Sequence, residues 1–429
     1  MRLVFSDSLD PRLPRPATAS IRRGGTVRHA KFASLIVLAA ASVSSGCEDD
    51  APSAEVADYA ERGTHPVGYR RFELAGEGTP LAIKAWYPAD AASDADESIA
   101  YTIDIKFPGW PSEPAAVVNG HAIADAEVDA RRRRPIVVFS HGYIGNPEWY
   151  ATLVEHYASH GFVVLAPEHS EDDWFEAWAA AIDRPRDVRR TLDFAEALNA
   201  PGGAFEGSLD LGRIALVGHS FGGYTALAMA GARLDLDPLE AKCASIAEDD
   251  PKAFLCAAFV GHQEDMATRA GLSSVPDGLW PSLGDARIRA IVPIAGDAYP
   301  FDAGLANIEV PMMAIGGTAD WGTPWDWGAS LAYERVSSPF RALVGLEGGG
   351  HMLAVDGCDR MPWTASLGEL ERGYLCVEPD WQKADAHAAI AGFSTAFLRD
   401  VLGDSGPAHR ALTDADVAMP RVRYAITTP

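Results

Sequence analysis

The sequence predicts an α/β fold: a mainly parallel, twisted sheet with helices on both faces and a lid-like insertion. Three observations carry this. Apolar strand-like runs and helical stretches alternate from residue 135 to residue 401, the order that a parallel sheet with crossover helices requires. Pro135-Ile136-Val137-Val138-Phe139-Ser140 and Phe162-Val163-Val164-Leu165-Ala166 are apolar throughout, as strands are when both faces are covered. Arg213-Ile214-Ala215-Leu216-Val217 runs through Gly218-His219-Ser220-Phe221-Gly222-Gly223 into a helical Tyr224–Ala230 stretch, a G-x-S-x-G turn between strand and helix.

The chain has 429 residues, 48% hydrophobic and 22% charged, with a net charge of −24. That composition supports a sizeable core, and the length is within reach of one large α/β domain. Without residues 1–46, which carry seven Lys/Arg against two Asp/Glu, the charge is −29. Such an acidic body excludes nucleic acid as a partner, because backbone phosphates need a basic face.

The N-terminus reads as a targeting segment. Arg22, Arg23, Arg28 and Lys31 precede an apolar stretch from Phe32 to Val43, too short to span a bilayer, which takes about 20 residues. Residues 1–46 are therefore expected to be a signal peptide. Ser44-Ser45-Gly46-Cys47 resembles a bacterial lipobox, which implies a lipidated Cys47 and attachment to a membrane. The usual leucine three places before the cysteine is replaced by Ser44, so an ordinary secretory signal and an uncleaved helix stay open. Either signal implies export.

Residues 47–64 are acidic and Ala-rich, a tether. Val67–Leu74 and Leu81–Pro88 each alternate and flank a Gly-rich loop, an antiparallel pair. Residues 89–130 lack periodicity and are expected as surface excursions; Arg131–Arg134 is expected to be solvated. Helices are expected over 148–160, 184–198, 325–336 and 381–401, with strands over 288–295, 311–315 and 340–346. Residues 233–284 interrupt the alternation and are the expected lid. The domain so defined spans 65–402, with 403–429 a C-terminal tail.

Cys243, Cys256, Cys358 and Cys376 follow the targeting segment. An even number in an exported chain points to two disulfides, with three pairings possible. The sequence-local pairing, Cys243–Cys256 and Cys358–Cys376, is the preferred one; four free thiols are the alternative. The spacings do not form a zinc site.

The turn at Ser220 is where chemistry concentrates. A serine hydroxyl needs a base, and the base needs a group to orient it. With the serine on such a turn, the order is serine, acid, histidine. The histidines downstream are His262, His351, His387 and His409. His351 follows a late strand through Glu347-Gly348-Gly349-Gly350 and is the expected base. Asp320, just past the 311–315 strand, is the expected acid. Asp297, ending the preceding strand at Ile294-Ala295-Gly296-Asp297, is the alternative. An oxyanion hole needs two backbone N–H groups; Phe221 supplies one and Tyr143, in His141-Gly142-Tyr143, the other. His141 is expected to brace this loop. The Tyr143 and Trp321 rings are expected to line the substrate site.

These motifs resemble the α/β-hydrolase superfamily. The nearest groups are platelet-activating-factor acetylhydrolases, dienelactone-hydrolase-like esterases and bacterial polyester hydrolases. The residues that carry the likeness are Trp86-Tyr87-Pro88, Ser140-His141-Gly142-Tyr143, Arg184-Pro185 with Asp187, the Ser220 turn with Gly223, Gly316–Pro324 and Gly350-His351. The resemblance covers roughly residues 65–402. It implies serine-dependent hydrolysis of carboxylic esters, without metal or cofactor, on small-molecule, lipid or polymer esters. In the acetylhydrolase branch the acid stands at the position of Asp297. Pro167-Glu168-His169-Ser170 departs from the pattern, so His169 and Glu171-Asp172-Asp173 are expected to reshape the rim. Phospholipid acetylhydrolase or polyester and lactone hydrolase activity on the same triad stays open, as does a silent scaffold used for binding.

Overall fold

The computed structural model describes residues 55–429 except 76–79, 93–94, 106–115, 172–175, 248–249, 251, 379, 404–405, 414–416 and 418. The expected signal peptide and Cys47 lie outside the described residues.

In chain order the elements are β1 (Val67–Leu74), β2 (Leu81–Pro88), β3 (Ile99–Ile103), β4 (Ala116–Gly120), β5 (Ile123–Ala124), β6 (Arg134–Ser140), α1 (Ala151–Ser159), β7 (Val163–Glu168), α2 (Ala177–Asn199), β8 (Leu209–His219), α3 (Phe221–Met229), α4 (Leu236–Cys243), α5 (Lys252–Ala257), α6 (Gln263–Ala270), β9 (Ile288–Ile294), β10 (Met312–Gly317), α7 (Ala329–Arg335), β11 (Arg341–Leu346), α8 (Glu369–Cys376), α9 (Lys383–Leu402), α10 (Gly406–Thr413) and β12 (Val422–Thr427). One sheet runs β12-β11-β10-β9-β8-β6-β7-β2-β1-β5. Its centre, β7 through β11, is parallel; β2 joins β7 and β12 joins β11 antiparallel. The chain leaves β6 for β7 on one side and returns to β8 on the other. That reversal opens a crevice above the carboxyl ends of β6 and β8, where sites form in open α/β sheets.

The core lies in two apolar layers, one on each face. Val137, Phe139 and Val217 point to one, against α1 and α9; Ile136, Val138 and Leu216 point to the other, against α2 and α3. Burial on both faces is what the unbroken apolar runs foretold. Each fully buried branched or aromatic side chain contributes about 1.5–3 kcal/mol.

Several expectations need correction. Residues 89–130 hold β3 and β4, which pair antiparallel and bury Tyr101, Ile103, Ala116 and Val118. The Trp86 indole N–H donates to the Tyr101 hydroxyl at 2.8 Å, so this excursion seals one side of the sheet. Residues 403–429 are no free tail: β12 extends the sheet edge in register from Arg341↔Thr427 to Leu346↔Val422. The end of the expected tether is a single helical turn, Val56–Tyr59, with Val56 buried against α9. Arg134 is buried beside Asp129, whereas Arg131, Arg132 and Arg133 are exposed. The expected 325–336 helix begins only at Ala329, after turns that follow Pro324. No helix among the described residues is long and apolar enough to cross a membrane.

The preferred cysteine pairing is present: Cys243–Cys256 joins α4 to α5, and Cys358–Cys376 anchors the end of α8. The 233–284 insertion packs on the flank of the Ser220 turn. Its Phe259 is fully buried against Phe221, Tyr224 and Tyr299. Lys242 and Lys252 both lie over the Trp327 ring, at 4.2 and 5.3 Å. α6 packs on α2, where Arg269 pairs with Asp183.

Candidate active site

β8 ends at His219, and α3 begins at Phe221. Ser220 stands alone between them at φ 56° and ψ −121°, a conformation that side-chain-bearing residues rarely adopt and that surroundings must enforce. Its N–H donates to Ile294 O at 2.9 Å. A Cβ at Gly222 would meet Ser140 O at 1.9 Å, and one at Gly218 would meet Gly222 O at 2.2 Å. The two glycines let β6, β8 and α3 approach closely enough to hold the turn.

The structure brings Ser220, His351 and Asp320 together. His351 Nε2 lies 2.9 Å from Ser220 Oγ. His351 Nδ1 lies 2.9 and 3.0 Å from the two Asp320 oxygens. An ionised carboxylate only accepts, so Nδ1 carries the proton and the Nε2 lone pair faces the serine hydroxyl. His351 and Asp320 are buried, and Ser220 is half-buried. Burial pulls the His351 pKa down, but the charge and hydrogen bond of Asp320, together with Asp297 and Glu378, more than offset it, so the pKa is raised above 6.5.

Asp320 is fixed by Thr323, whose N–H donates to Oδ1 at 2.8 Å. The alternative acid, Asp297, instead accepts the Thr323 hydroxyl at 2.6 Å. It is buried, and desolvation raises its pKa to about 6.

A second chain of hydrogen bonds ties the site loops together. Gly142 N–H donates to the Tyr150 hydroxyl at 3.1 Å. That hydroxyl donates to His219 Nδ1 at 2.9 Å, and His219 Nε2–H donates to the backbone oxygen of His351 at 2.8 Å. The directions follow because a backbone N–H can only donate, a carbonyl can only accept, and burial keeps His219 neutral, so that its Nδ1 accepts.

Phe221 opens α3 beside Tyr143, with ring centroids 5.5 Å apart. Trp321 is 58% exposed and packs on Tyr374 of α8 at 5.1 Å. Next to Trp321, a Cβ on Gly322 would come within 2.6 Å of His351 Cγ, so the backbone passes directly against the imidazole. Gly350 N–H donates to Glu378 at 3.1 Å. Lys383 donates to Met352 O and Val355 O, fixing the turn that carries His351.

His141 braces its own loop: Nδ1–H donates to Gly142 O at 2.7 Å, and Nε2 accepts His169 N–H at 3.0 Å. With Ser170 and Arg184, His169 and Glu171 line a pocket beside Tyr143. Both are buried, and His169 bridges Ser140 Oγ and Asp187 at 3.0 Å each; Asp172 and Asp173 lie outside the described residues. His262 stacks on Trp178, the half-buried His387 bonds Val355 O, and His409 pairs with Asp400. Among the described residues, no group of three or more His, Cys, Asp or Glu is arranged to hold a metal ion.

Sequence reasoning missed Tyr150, Thr323, Tyr374 and Glu378. Only Tyr374 had a signal, its position two residues before Cys376.

A chlorophyllase family model matches residues 126–253. Chlorophyllase-1 of Citrus unshiu is 27% identical over 350 residues, 80% of this chain and 89% of that protein. Cutinase est2 of Thermobifida alba is 34% identical over 104 residues, 23% of this chain and 31% of the cutinase. Apart from the citrus protein, the chain spans about a third of the length of the curated relatives it matches. Among solved structures, a ferulic acid esterase from Streptomyces cinnamoneus superposes with a TM-score of 0.53 at 18% identity, over 87% of this chain and 99% of that one.

Proposed function

The chain belongs to the α/β-hydrolase superfamily of esterases, and on that premise we propose that it is an exported serine esterase that cleaves carboxylic esters through an acyl-enzyme. The observation that supports this most is the unbroken line Ser220 Oγ, His351 Nε2, His351 Nδ1, Asp320.

Ser220 Oγ attacks the ester carbonyl carbon as its proton passes to His351 Nε2. The carbonyl oxygen becomes an oxyanion held by the Tyr143 and Phe221 N–H groups. The His351 imidazolium, facing Asp320, gives its proton to the departing alkoxy oxygen, and the C–O bond breaks. Water then attacks the acyl-serine, His351 again takes the proton, and the acid leaves with Ser220 restored. Tyr143 and Trp321 border the substrate, which favours esters with an apolar or aromatic part. Among relatives, the printed names chlorophyllase, cutinase and ferulic acid esterase agree with ester cleavage.

Ser220→Ala should reduce p-nitrophenyl ester turnover by on the order of 10⁶, and a fluorophosphonate should label the wild type at Ser220 alone. Retention of most activity in Ser220→Ala sinks the nucleophile assignment. An unlabelled, inactive wild type favours the silent scaffold. A panel of esters varying in acyl length, with phospholipid and polyester members, separates the substrate classes. Export rests on residues 1–46 and on the two disulfides, which persist in oxidising compartments. Lipid attachment predicts an acylated Cys47 N-terminus by mass spectrometry; a free, unmodified one removes the anchor.

A further inference from the structure

The loop after β6 contains a strained conformation. Ile144 has φ 55°, the left-handed region, and it is β-branched, for which that region is a true outlier. It is also buried. Such a residue persists only when its surroundings over-determine it. Glu171 provides that constraint: its Oε2 accepts Ile144 N–H at 2.8 Å. Glu171 is buried and is itself gripped by Arg184, whose Nη2 lies 2.7 Å from Oε2 and whose Nε donates to Oε1.

Arg184 also reaches both sides of the oxyanion hole. Its Nη1 donates to His141 O at 2.5 Å and its Nη2 to Gly142 O at 3.1 Å, so two carbonyls immediately before Tyr143 are fixed. The guanidinium carbon lies 5.3 Å from the centre of the Phe221 ring and 6.0 Å from that of Tyr143, within the range of a cation–π contact. One fully buried cation therefore touches the residue supplying each oxyanion donor. The planar fork of arginine suits this; a lysine, with three donors on one nitrogen, could not make the four bonds seen here.

We propose that Arg184 and Glu171 are positioning residues: a buried ion pair that clamps the 141–144 loop so that the Tyr143 N–H stays aligned with the Phe221 N–H for the oxyanion. The proposal rests on the esterase reading, because it concerns the hole that reading requires. The pair acts through the loop, by the Ile144 N–H and the His141 and Gly142 carbonyls. Its effect is confined to the tetrahedral state, where the donors matter most.

The test must separate positioning from folding. Removing one partner leaves a buried charge unpaired, which destabilises a fold, whereas replacing both with apolar residues is often tolerated. The informative variants are the double Arg184→Met/Glu171→Leu and the isosteric Glu171→Gln. Each is assayed on a p-nitrophenyl ester and on its thiono analogue, whose sulfur accepts hydrogen bonds poorly and gains little from the hole. The double variant should lose about 10- to 100-fold in kcat on the oxygen ester, less than the roughly 10²–10³ of deleting a donor. KM should hold within about threefold and the thiono rate should barely change, since only the donors to the oxyanion have moved. Glu171→Gln should move the oxygen-to-thiono ratio in the same direction by less. A folded double variant with wild-type kcat overturns the clamp, and so does an equal loss on both substrates. If the double variant does not fold, an unchanged ratio in Glu171→Gln overturns it. Failure of the esterase reading is distinct: the wild type would then turn over neither ester and take no fluorophosphonate.

Discussion

The choice between Asp320 and Asp297 can be decided by one substitution at each. In Asp320→Asn, Thr323 determines how the new amide sits. Its N–H, 2.8 Å from Oδ1, requires an acceptor and so keeps the amide oxygen on that side. The amide NH2 then takes the Oδ2 position, 2.9 Å from His351 Nδ1. A donor there forces Nδ1 to accept and puts the imidazole proton on Nε2, the atom 2.9 Å from Ser220 Oγ. The base now presents a proton where it must receive one. A triad with this tautomer loses about 10⁴ in kcat, or about 5 kcal/mol of barrier. Asp297→Asn keeps an oxygen to accept the Thr323 hydroxyl, so its loss should stay below about tenfold, the scale of one net hydrogen bond. The pH profile adds a second axis. The base must be neutral, so kcat/KM rises as pH passes the His351 pKa, and the raised value places that acid limb above 6.5 in the wild type. Asp320→Asn removes the largest upward influence and leaves burial opposing charge, so the limb moves to lower pH. Asp297→Asn removes a smaller one and moves it less. Steady-state kinetics on a p-nitrophenyl ester from pH 5 to pH 9 reads both effects. A greater kcat loss in Asp297→Asn transfers the acid role to Asp297; an unmoved limb in Asp320→Asn refutes the charge argument.

Tyr150→Phe cuts the chain from Gly142 to His219 at both ends while keeping the ring. It should lower kcat about 30-fold, since the acceptor of Gly142 N–H and the donor to His219 Nδ1 are both lost, at about 1 kcal/mol apiece; calorimetry should show a fold still cooperative, and an unchanged kcat would mean the chain is decorative. Replacing Cys358 and Cys376 by serine should cost about 3 kcal/mol in urea unfolding, the scale for an 18-residue separation. Activity should fall further than on replacing Cys243 and Cys256, because α8 holds Tyr374 against Trp321 and leads to Glu378 under Gly350. Equal activity losses for the two pairs would contradict that coupling.

What could be read in advance follows from how each residue meets its neighbours. β6 and β7 announce themselves because both faces are covered, which leaves no polar positions in Ile136–Phe139 or Val163–Ala166. β12 does not: it is an edge strand with one partner, half-buried along its length, and its pattern is hard to tell from an exposed segment. β3 shows only Tyr101 and Ile103 as buried positions, too few to establish a period of two. In the site, Ser220, Asp320 and His351 were legible because each terminates or follows a strand, and strand order fixes their sequence. Arg184, Glu171, Tyr150 and Thr323 act across space. Arg184 lies 43 residues from the carbonyl of His141 it grips, and no local pattern encodes that pairing.

The two histidines at the centre show why the supporting contacts matter as much as the motif. His219 and His351 have ring centroids 4.9 Å apart, both are buried, and burial alone disfavours the charged imidazolium in each. Their partners differ. His351 faces the Asp320 carboxylate, which lifts its pKa above 6.5. His219 faces a phenol and a carbonyl, and the nearby His351 repels a second positive charge, so its pKa lies well below 6.5. At neutral pH one ring can take up a proton while the other stays neutral. Neutrality of His219 sets the direction, since a protonated Nδ1 would have to donate to the Tyr150 oxygen, which would leave the Tyr150 hydroxyl proton without its acceptor. Burial of His219 thus keeps the hydrogen-bond direction constant across the pH range in which His351 titrates. The loop bearing the base and the loop bearing the oxyanion donor stay joined in the protonation state where proton transfer occurs.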